Sequence, residues 1–241
     1  MNAYEHKAIH ELRRWQHRVS RNPSLASKMS RKLQRKINNA LPEKFHQAIT
    51  AAIRQMVKAV IFGSGITSGK ILTDISLQER EQLAMERIEF YKKTAAVEGG
   101  VTGAGGILLG LADFPLLLSI KIKLLFELAA IYGHNVDDIR ERLYILLIFQ
   151  LAFSNQERRQ EVYQQVIDWQ EKYDELPKNL DDFNWRVFQQ EYRDYIDLAK
   201  LAQLVPVIGA AVGLVVNYRL LIKLGETTMN AYRMRMFAGI K

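Results

Sequence analysis

The sequence predicts an all-α protein: a multi-helix bundle with two glycine-rich apolar helical hairpins and a basic amphipathic N-terminal helical segment. Three observations predict it. Apolar residues recur at steps of three and four in successive segments. Helix-start signals punctuate those segments: Asn22–Pro23, Ser76 with Glu79, Asn135 with Asp138, and Ser154 with Glu157. No alternating apolar run is bounded by a turn pair such as Asn-Gly or Asp-Gly, so strands are not expected.

The first helix is expected over residues 3–20, where Tyr4, Ala8, Leu12, Trp15 and Val19 form one stripe. Lys7, Arg13, Arg14, Arg18 and Arg21 lie mostly off it. A second helix is expected from Asn22–Pro23 to about Ala40, with Leu25, Met29, Leu33 and Ile37 as its stripe and Lys28, Arg31, Lys32, Arg35 and Lys36 on its other faces. Pro42 opens a third, through Phe45, Ile49, Ile53 and Val57.

Residues 62–70, FGSGITSGK, read as a loop. Ser76 and Glu79 form a capping box for a helix over roughly 77–97 that carries Leu83, Ile88 and Tyr91. A glycine-, alanine- and leucine-rich stretch fills residues 94–133. Asn135 and Asp138 mark the start of a helix to about Ala152, and Ser154 with Glu157 a second capping box for a charged helix over about 155–175. Pro177 to Asp182 reads as a loop, and a second apolar stretch occupies residues 204–222. The expected organisation is a basic helical extension, residues 1–41, on one all-α domain, residues 42–241.

The net charge of +8 is unevenly placed. Residues 1–58 carry 13 lysines and arginines against Glu5, Glu11 and Glu43, a net of +10; the remaining 183 residues carry 21 cations and 23 acids. Basicity confined to one end points to a polyanionic partner, an anionic membrane or a nucleic acid. With no cysteine there is no disulfide, thiolate metal site or thiol nucleophile, which fits a reducing compartment. The N-terminus shows no apolar segment of a secretory signal, and the first glycine is Gly63, so no myristoylation signal is expected.

Each apolar stretch is about 20 residues, the length of a membrane-spanning helix. Neither is clean. Asp113 and Pro115 interrupt the first, and Pro206, Asn217 and Arg219 the second. A charge at mid-bilayer costs at least ~2.5–3.5 kcal/mol. Glycines four apart (Gly99/Gly103, Gly106/Gly110, Gly209/Gly213) allow close helix approach in lipid or in a protein core. The stretches end at Gly133 and Gly225. A soluble helical core, re-entrant insertion and true spanning all remain open at this point.

Familiar catalytic and ligand motifs fail on spacing. Gly63 and Gly69-Lys70 are separated by five residues where a phosphate loop needs four, and Ile71 stands where the magnesium-binding hydroxyl belongs. Gly99 to Gly110 sits within a helical run, not after a strand. His6 and His10 share a helix face without a third ligand, so a surface pair is expected and no metal or other cofactor. Glu98 and Asp113, ionisable groups in apolar surroundings, are the candidate buried functional residues; no catalytic residue is assigned. Asp113 has the competing role of capping a helix begun by Pro115.

Three segments carry a family resemblance: GGVTGAGGILLGLADFP, the following LLLSIKIKLLFELAAIYG, and PVIGAAVGLVVNYRLLIKLGETTMNAYRMR. The chain resembles the EcsC family over roughly residues 40–236, with a looser likeness to the hydrophobic helical tails of some bacterial GTPases. The family takes its name from a gene neighbouring the two subunits of an ABC exporter that affects secretion and membrane proteolysis. The resemblance implies a bacterial, soluble or peripheral helical body and brings no catalytic residues with it.

The function expected from residues and resemblance together is a non-enzymatic accessory protein, peripheral to the cytoplasmic face of the cell membrane, assisting an ABC exporter or an envelope process. Arg13, Arg14, Arg18, Lys28, Arg31, Lys32, Arg35 and Lys36 are the expected membrane-binding residues, and transporter subunits the expected partners. Two alternatives stand beside it: an enzyme or binding protein for a lipid or hydrophobic small molecule using Asp113 and Glu98, and nucleic-acid binding through residues 1–58. The last is disfavoured, because no recognition-helix, aromatic–glycine or zinc-finger pattern is present. The sequence sets no oligomeric state.

Overall fold

The computed structural model describes residues 1–21, 43–62, 69–102, 106–154, 158–176 and 210–239. Eight α-helices occupy them: α1 (Ala3–Ser20), α2 (Glu43–Phe62), α3 (Leu77–Thr102), α4 (Gly106–Ile131), α5 (Ile139–Phe153), α6 (Arg159–Ile167), α7 (Trp169–Lys172) and α8 (Ala210–Met236). A 3-10 turn, Tyr173–Glu175, follows α7. No strand occurs among the described residues, so the fold class is the all-α one that the sequence predicts.

Three long helices form the frame. α3 pairs most extensively with α8 and next with α4. Glu81 meets Arg233 at one end of the α3–α8 pair and Lys92 lies over Tyr218 towards the other, so the two helices are antiparallel. Lys121 meets Asn217 and Tyr132 stacks on Tyr232, so α4 and α8 run parallel. The N-terminal ends of α4 and α8 therefore point the same way as the C-terminal end of α3. Against this frame lies α5, in which every residue from Leu143 to Phe153 is buried. An all-round apolar helix of this kind belongs at the centre of a bundle. α2 covers α4 and α5 through Ile53, Met56, Val57, Val60 and Ile61.

α1 closes the outer side. A capping box between Asn2 and Glu5 starts it, and Ala8, Leu12 and Trp15 bury its stripe against α8 and α6. Trp15 packs edge-on to Tyr163 at 6.0 Å, and Gln160 Nε2 donates to Ser20 O at 3.0 Å. The N-terminal helix is thus folded onto the body.

Local signals explain the boundaries. Ser76 and Glu79 make the expected reciprocal cap, with Ser76 N donating to Glu79 at 2.8 Å and Glu79 N to Ser76 Oγ at 3.3 Å. Asp138 caps α5 by accepting from Arg140 N at 2.9 Å. α4 ends in a Schellman arrangement: His134 N donates to Ala129 O and Gly133 N to Ala130 O, both at 3.0 Å. Gly133 has φ +88°, and a Cβ there would meet Leu72 O at 3.1 Å, so glycine is required on both counts.

Several sequence expectations need correction. Pro115 lies inside α4, which starts at Gly106, so Asp113 is not at a helix start and the capping role assigned to it fails. Ser154 ends α5, its hydroxyl donating back to Leu151 O at 3.2 Å, and the next described helix, α6, begins at Arg159; Glu157, the other half of the expected capping box, lies outside the described residues. The expected charged helix is broken at Asp168, which accepts from Gln164 Nε2 at 2.8 Å. Gly225 is not a terminus: α8 runs through it to Met236, and Ile88 packs directly over it. Of the apolar residues noted in α3, Leu83 faces outward and is 37% exposed. The expected second helix, and residues 103–105 and 201–209 of the glycine-rich segments assigned to the two hairpins, lie outside the described residues.

Candidate functional site

The outward side of α1 is the first feature with functional content. At 100° per residue, an anchor at Leu12 places His6, Lys7, His10, Arg13, Arg14, His17, Arg18 and Arg21 on one outward arc, and all eight side chains are exposed. Lys7 lies 4.0 Å from Glu11, and Arg18 pairs with Glu226 of α8. Arg13, Arg14 and Arg21 have no ion-pair partner among the described residues. The arc exists because the opposite face is committed to the core by Ala8, Leu12 and Trp15. Of the expected membrane-binding residues, Arg13, Arg14 and Arg18 are therefore brought together. Lys28, Arg31, Lys32, Arg35 and Lys36 lie outside the described residues.

The second feature lies at the C-terminal end of α8, where two arginines two residues apart point to different neighbours. Arg233 makes a forked contact with Glu81 of α3, Nε to Oε1 at 2.5 Å and Nη2 to Oε2 at 2.6 Å, and reaches Glu11 of α1 at 3.1 Å. Tyr4 also donates its hydroxyl to Glu81, at 2.7 Å. Arg235 forks onto Glu141 of α5 with both contacts at 2.7 Å. Burial works against each guanidinium charge, but the hydrogen bonds and attraction of its carboxylate outweigh that and raise both pKa values. Burial, and then the bond to Glu81, push Tyr4 up to about 12.

An aromatic stack fills the space between these pairs. Tyr232 lies against Tyr132 at 5.1 Å and His134 at 5.0 Å, both nearly parallel, with Tyr144 edge-on at 5.6 Å. Burial, then Arg235 and Arg80, lower the His134 pKa to about 3. His134 Nδ1 is 3.7 Å from Glu141 Oε1, within ion-pair distance; because the imidazole is neutral near pH 7, we read this as a polar contact and not an ion pair. Arg80 locks the adjacent turn by donating to Leu72 O at 2.6 Å, Ile131 O at 2.5 Å and Thr73 O at 2.8 Å. Each carboxylate in this cluster is matched to an arginine, an arrangement that fastens α1, α3, α5 and α8 together.

Lys121 is different in kind. It is fully buried between α4 and α8, and its ammonium reaches only Leu117 O at 3.2 Å and Asn217 Oδ1 at 3.4 Å among the described residues. Burial lowers its pKa to about 7. Glu98 and Asp113 fall within α3 and α4, and their side chains lie outside the described residues. No group of three or more potential metal ligands occurs among the described residues.

Sequence reasoning did not single out Glu81, Glu141, Arg233, Arg235 or Lys121. The available signal was positional. Arg233 and Arg235 lie in the last turn of α8, a helix that begins in an apolar stretch, and Lys121 sits in a run of leucine and isoleucine.

The profile of the EcsC protein family matches residues 6–237. The chain belongs to the EcsC family. The match begins within α1, so the basic helix is part of the region shared with the family. The chain is 46% identical over 229 residues to Protein EcsC of Bacillus subtilis (strain 168), covering 95% of this chain and 94% of that protein. It is 31% identical over 143 residues to the uncharacterized protein YdbA of the same organism, covering 58% of this chain and 52% of that one. No solved structure gives a significant match.

Proposed function

We propose that this EcsC-family protein is a non-enzymatic accessory factor that docks, without crossing, on the cytoplasmic face of the cell membrane and assists an ABC-type exporter or an envelope process. The observation that carries the reading is the outward arc of α1, with Arg13, Arg14 and Arg21 unpaired among the described residues. Each cation held at an anionic leaflet contributes about 1 kcal/mol, so three give reversible, salt-sensitive docking. Among the described residues no helix is long and apolar enough to cross a membrane. The exporter part of the reading comes from the family resemblance.

Flotation of the full-length protein tests the docking. It should rise with vesicles containing phosphatidylglycerol over pure phosphatidylcholine, fall in high salt, and fall with the double substitution Arg13→Glu, Arg14→Glu. Equal flotation on both vesicle types would overturn the reading. Crosslinking in intact cells from a photoreactive residue at Arg14 should capture transporter subunits; capture of soluble proteins alone counts against the exporter part.

A further inference from the structure

Helix α1 carries His6, His10 and His17 among the five histidines of the chain. At 100° per residue the three fall within about 40° of one another, in line between Arg13 on one side and Arg14 and Arg21 on the other, and they span about 16 Å of helix axis. All three side chains are exposed, and none has a partner among the described residues. The body meets α1 from its other side. Glu81 of α3 and Arg233 of α8 meet Tyr4 and Glu11, and Glu226 of α8 meets Arg18. Arg159 of α6 and Lys223 of α8 lie with Trp15 and Arg18 on that same side, and Arg158 and Glu161 of α6 pair with each other. Within α1, Glu5 is engaged by Asn2 and the N-terminal ammonium, and Lys7 lies beside Glu11. The charged groups nearest the imidazoles are therefore Arg13, Arg14 and Arg21.

We propose that His6, His10 and His17 are membrane-contact residues that grade the docking of α1 by pH, joining Arg13, Arg14 and Arg21 against the phosphates of an anionic leaflet as they take up protons. Histidine is the side chain whose charge changes between pH 8 and 5. The arc thus has a fixed part, the arginines, and a variable part, the imidazoles, on one surface. A membrane lying along the arginines lies along the histidines too, because they share one line of the helix. Each added cation at an anionic leaflet strengthens docking about fivefold. Linkage makes the effect mutual: protonation favours docking, and docking favours protonation. The inference rests on the peripheral-membrane reading and adds to it three contact residues and a regulation.

Binding of the full-length protein to vesicles of phosphatidylglycerol in phosphatidylcholine, compared at about pH 7.5 and 6, is the test. The phosphodiester keeps its charge across this range, so a change belongs to the protein. Affinity is expected to rise about tenfold at the lower pH, the effect of partial protonation at three sites. The triple variant His6→Gln, His10→Gln, His17→Gln should bind like the parent at the higher pH and lose the rise. The triple variant His6→Arg, His10→Arg, His17→Arg should bind tightly at both and show no rise. Circular dichroism at both pH values checks that each protein is folded. A rise that survives in the glutamine variant, or that appears equally on pure phosphatidylcholine, overturns the proposal by placing its cause elsewhere in the chain. A preference for phosphatidylglycerol that ignores pH overturns this inference and leaves the docking reading standing. No preference for phosphatidylglycerol at either pH overturns both.

Discussion

Arg233 and Glu81 are 152 positions apart in the chain and meet in the interior as a forked guanidinium–carboxylate pair, with contacts of 2.5 and 2.6 Å. Tyr4 and Glu11 of α1 converge on the same pair, at 2.7 Å from Glu81 and 3.1 Å from Arg233. One junction therefore fastens the first helix, the start of α3 and the end of α8. Removing one partner of a buried pair strands the other, which costs about 3–5 kcal/mol, whereas removing both is far milder. Arg233→Met is expected to lower the urea-unfolding free energy by that amount. The double variant Arg233→Met, Glu81→Gln should lose clearly less than the sum of the two singles. Additive losses in the double-mutant cycle would show that the pair does not interact.

His134 gives the junction a pH dependence with a definite sign. Its folded pKa is held near 3 by burial and by Arg235 and Arg80, while an unfolded histidine titrates near 6.5. Between those values the unfolded chain binds the extra proton, so stability falls as pH falls. The slope reaches about 1.4 kcal/mol per pH unit. His134→Asn should flatten the stability profile between pH 6.5 and 5, above the range where most carboxylates titrate. A variant whose acid limb in that window matches the parent's would remove His134 as the cause.

The all-α class and much of the helix order were legible in the sequence because they depend on local signals. The Ser76–Glu79 box, the Asp138 cap and the stripe of α1 are read from neighbours three or four residues apart, and each is found in place. Signals that depend on which neighbour arrives in space were not legible. Gly225 looked like a helix end, yet α8 runs through it, and the missing side chain there leaves room for Ile88 of α3. Pro115 looked like a helix start, yet α4 passes through it. The basic face of α1 was visible as charge pattern. The pairing of Arg233 with Glu81 was not, because nothing local relates residues 152 apart.

Gly225 yields a packing prediction. A Cβ at this position would lie 2.5 Å from Ile88 Cδ1, 2.7 Å from its Cγ1 and 3.1 Å from its Cγ2. The whole isoleucine is in the way, so a rotamer change alone does not relieve the clash. Alanine improves helix propensity by about 1 kcal/mol, and overpacking costs about 1–3 kcal/mol. Gly225→Ala is therefore expected to be net destabilising, and Ile88→Val in the same chain should recover part of the loss. Thermal unfolding of the single and double variants checks both; a single variant more stable than the parent would mean that α3 and α8 separate at little cost.

Lys121 is where the core works against itself. Its ammonium is fully buried, with one main-chain carbonyl and one amide oxygen within reach and no carboxylate among the described residues, and burial brings its pKa from 10.5 to about 7. Between pH 7 and 10.5 the unfolded chain holds a proton that the folded chain does not, so stability should rise with pH across that range and level off below pH 7. The buried tyrosines Tyr132, Tyr144 and Tyr232 act in the opposite sense, but only above about pH 10, because their raised pKa values favour the folded state less once the unfolded phenols ionise. The interval from pH 7 to 9.5 therefore isolates Lys121. Lys121→Met keeps the length of the side chain and removes the amine. It is expected to stabilise the protein at pH 7 by roughly 1–3 kcal/mol, the scale of burying a poorly compensated polar group. It should also abolish the rise in stability between pH 7 and 9.5. Chemical denaturation at the two pH values measures both effects. A Lys121→Met variant that loses stability at pH 7, or retains the parent's rise towards pH 9.5, would show that the bonds to Leu117 and Asn217 outweigh the cost of burying the amine.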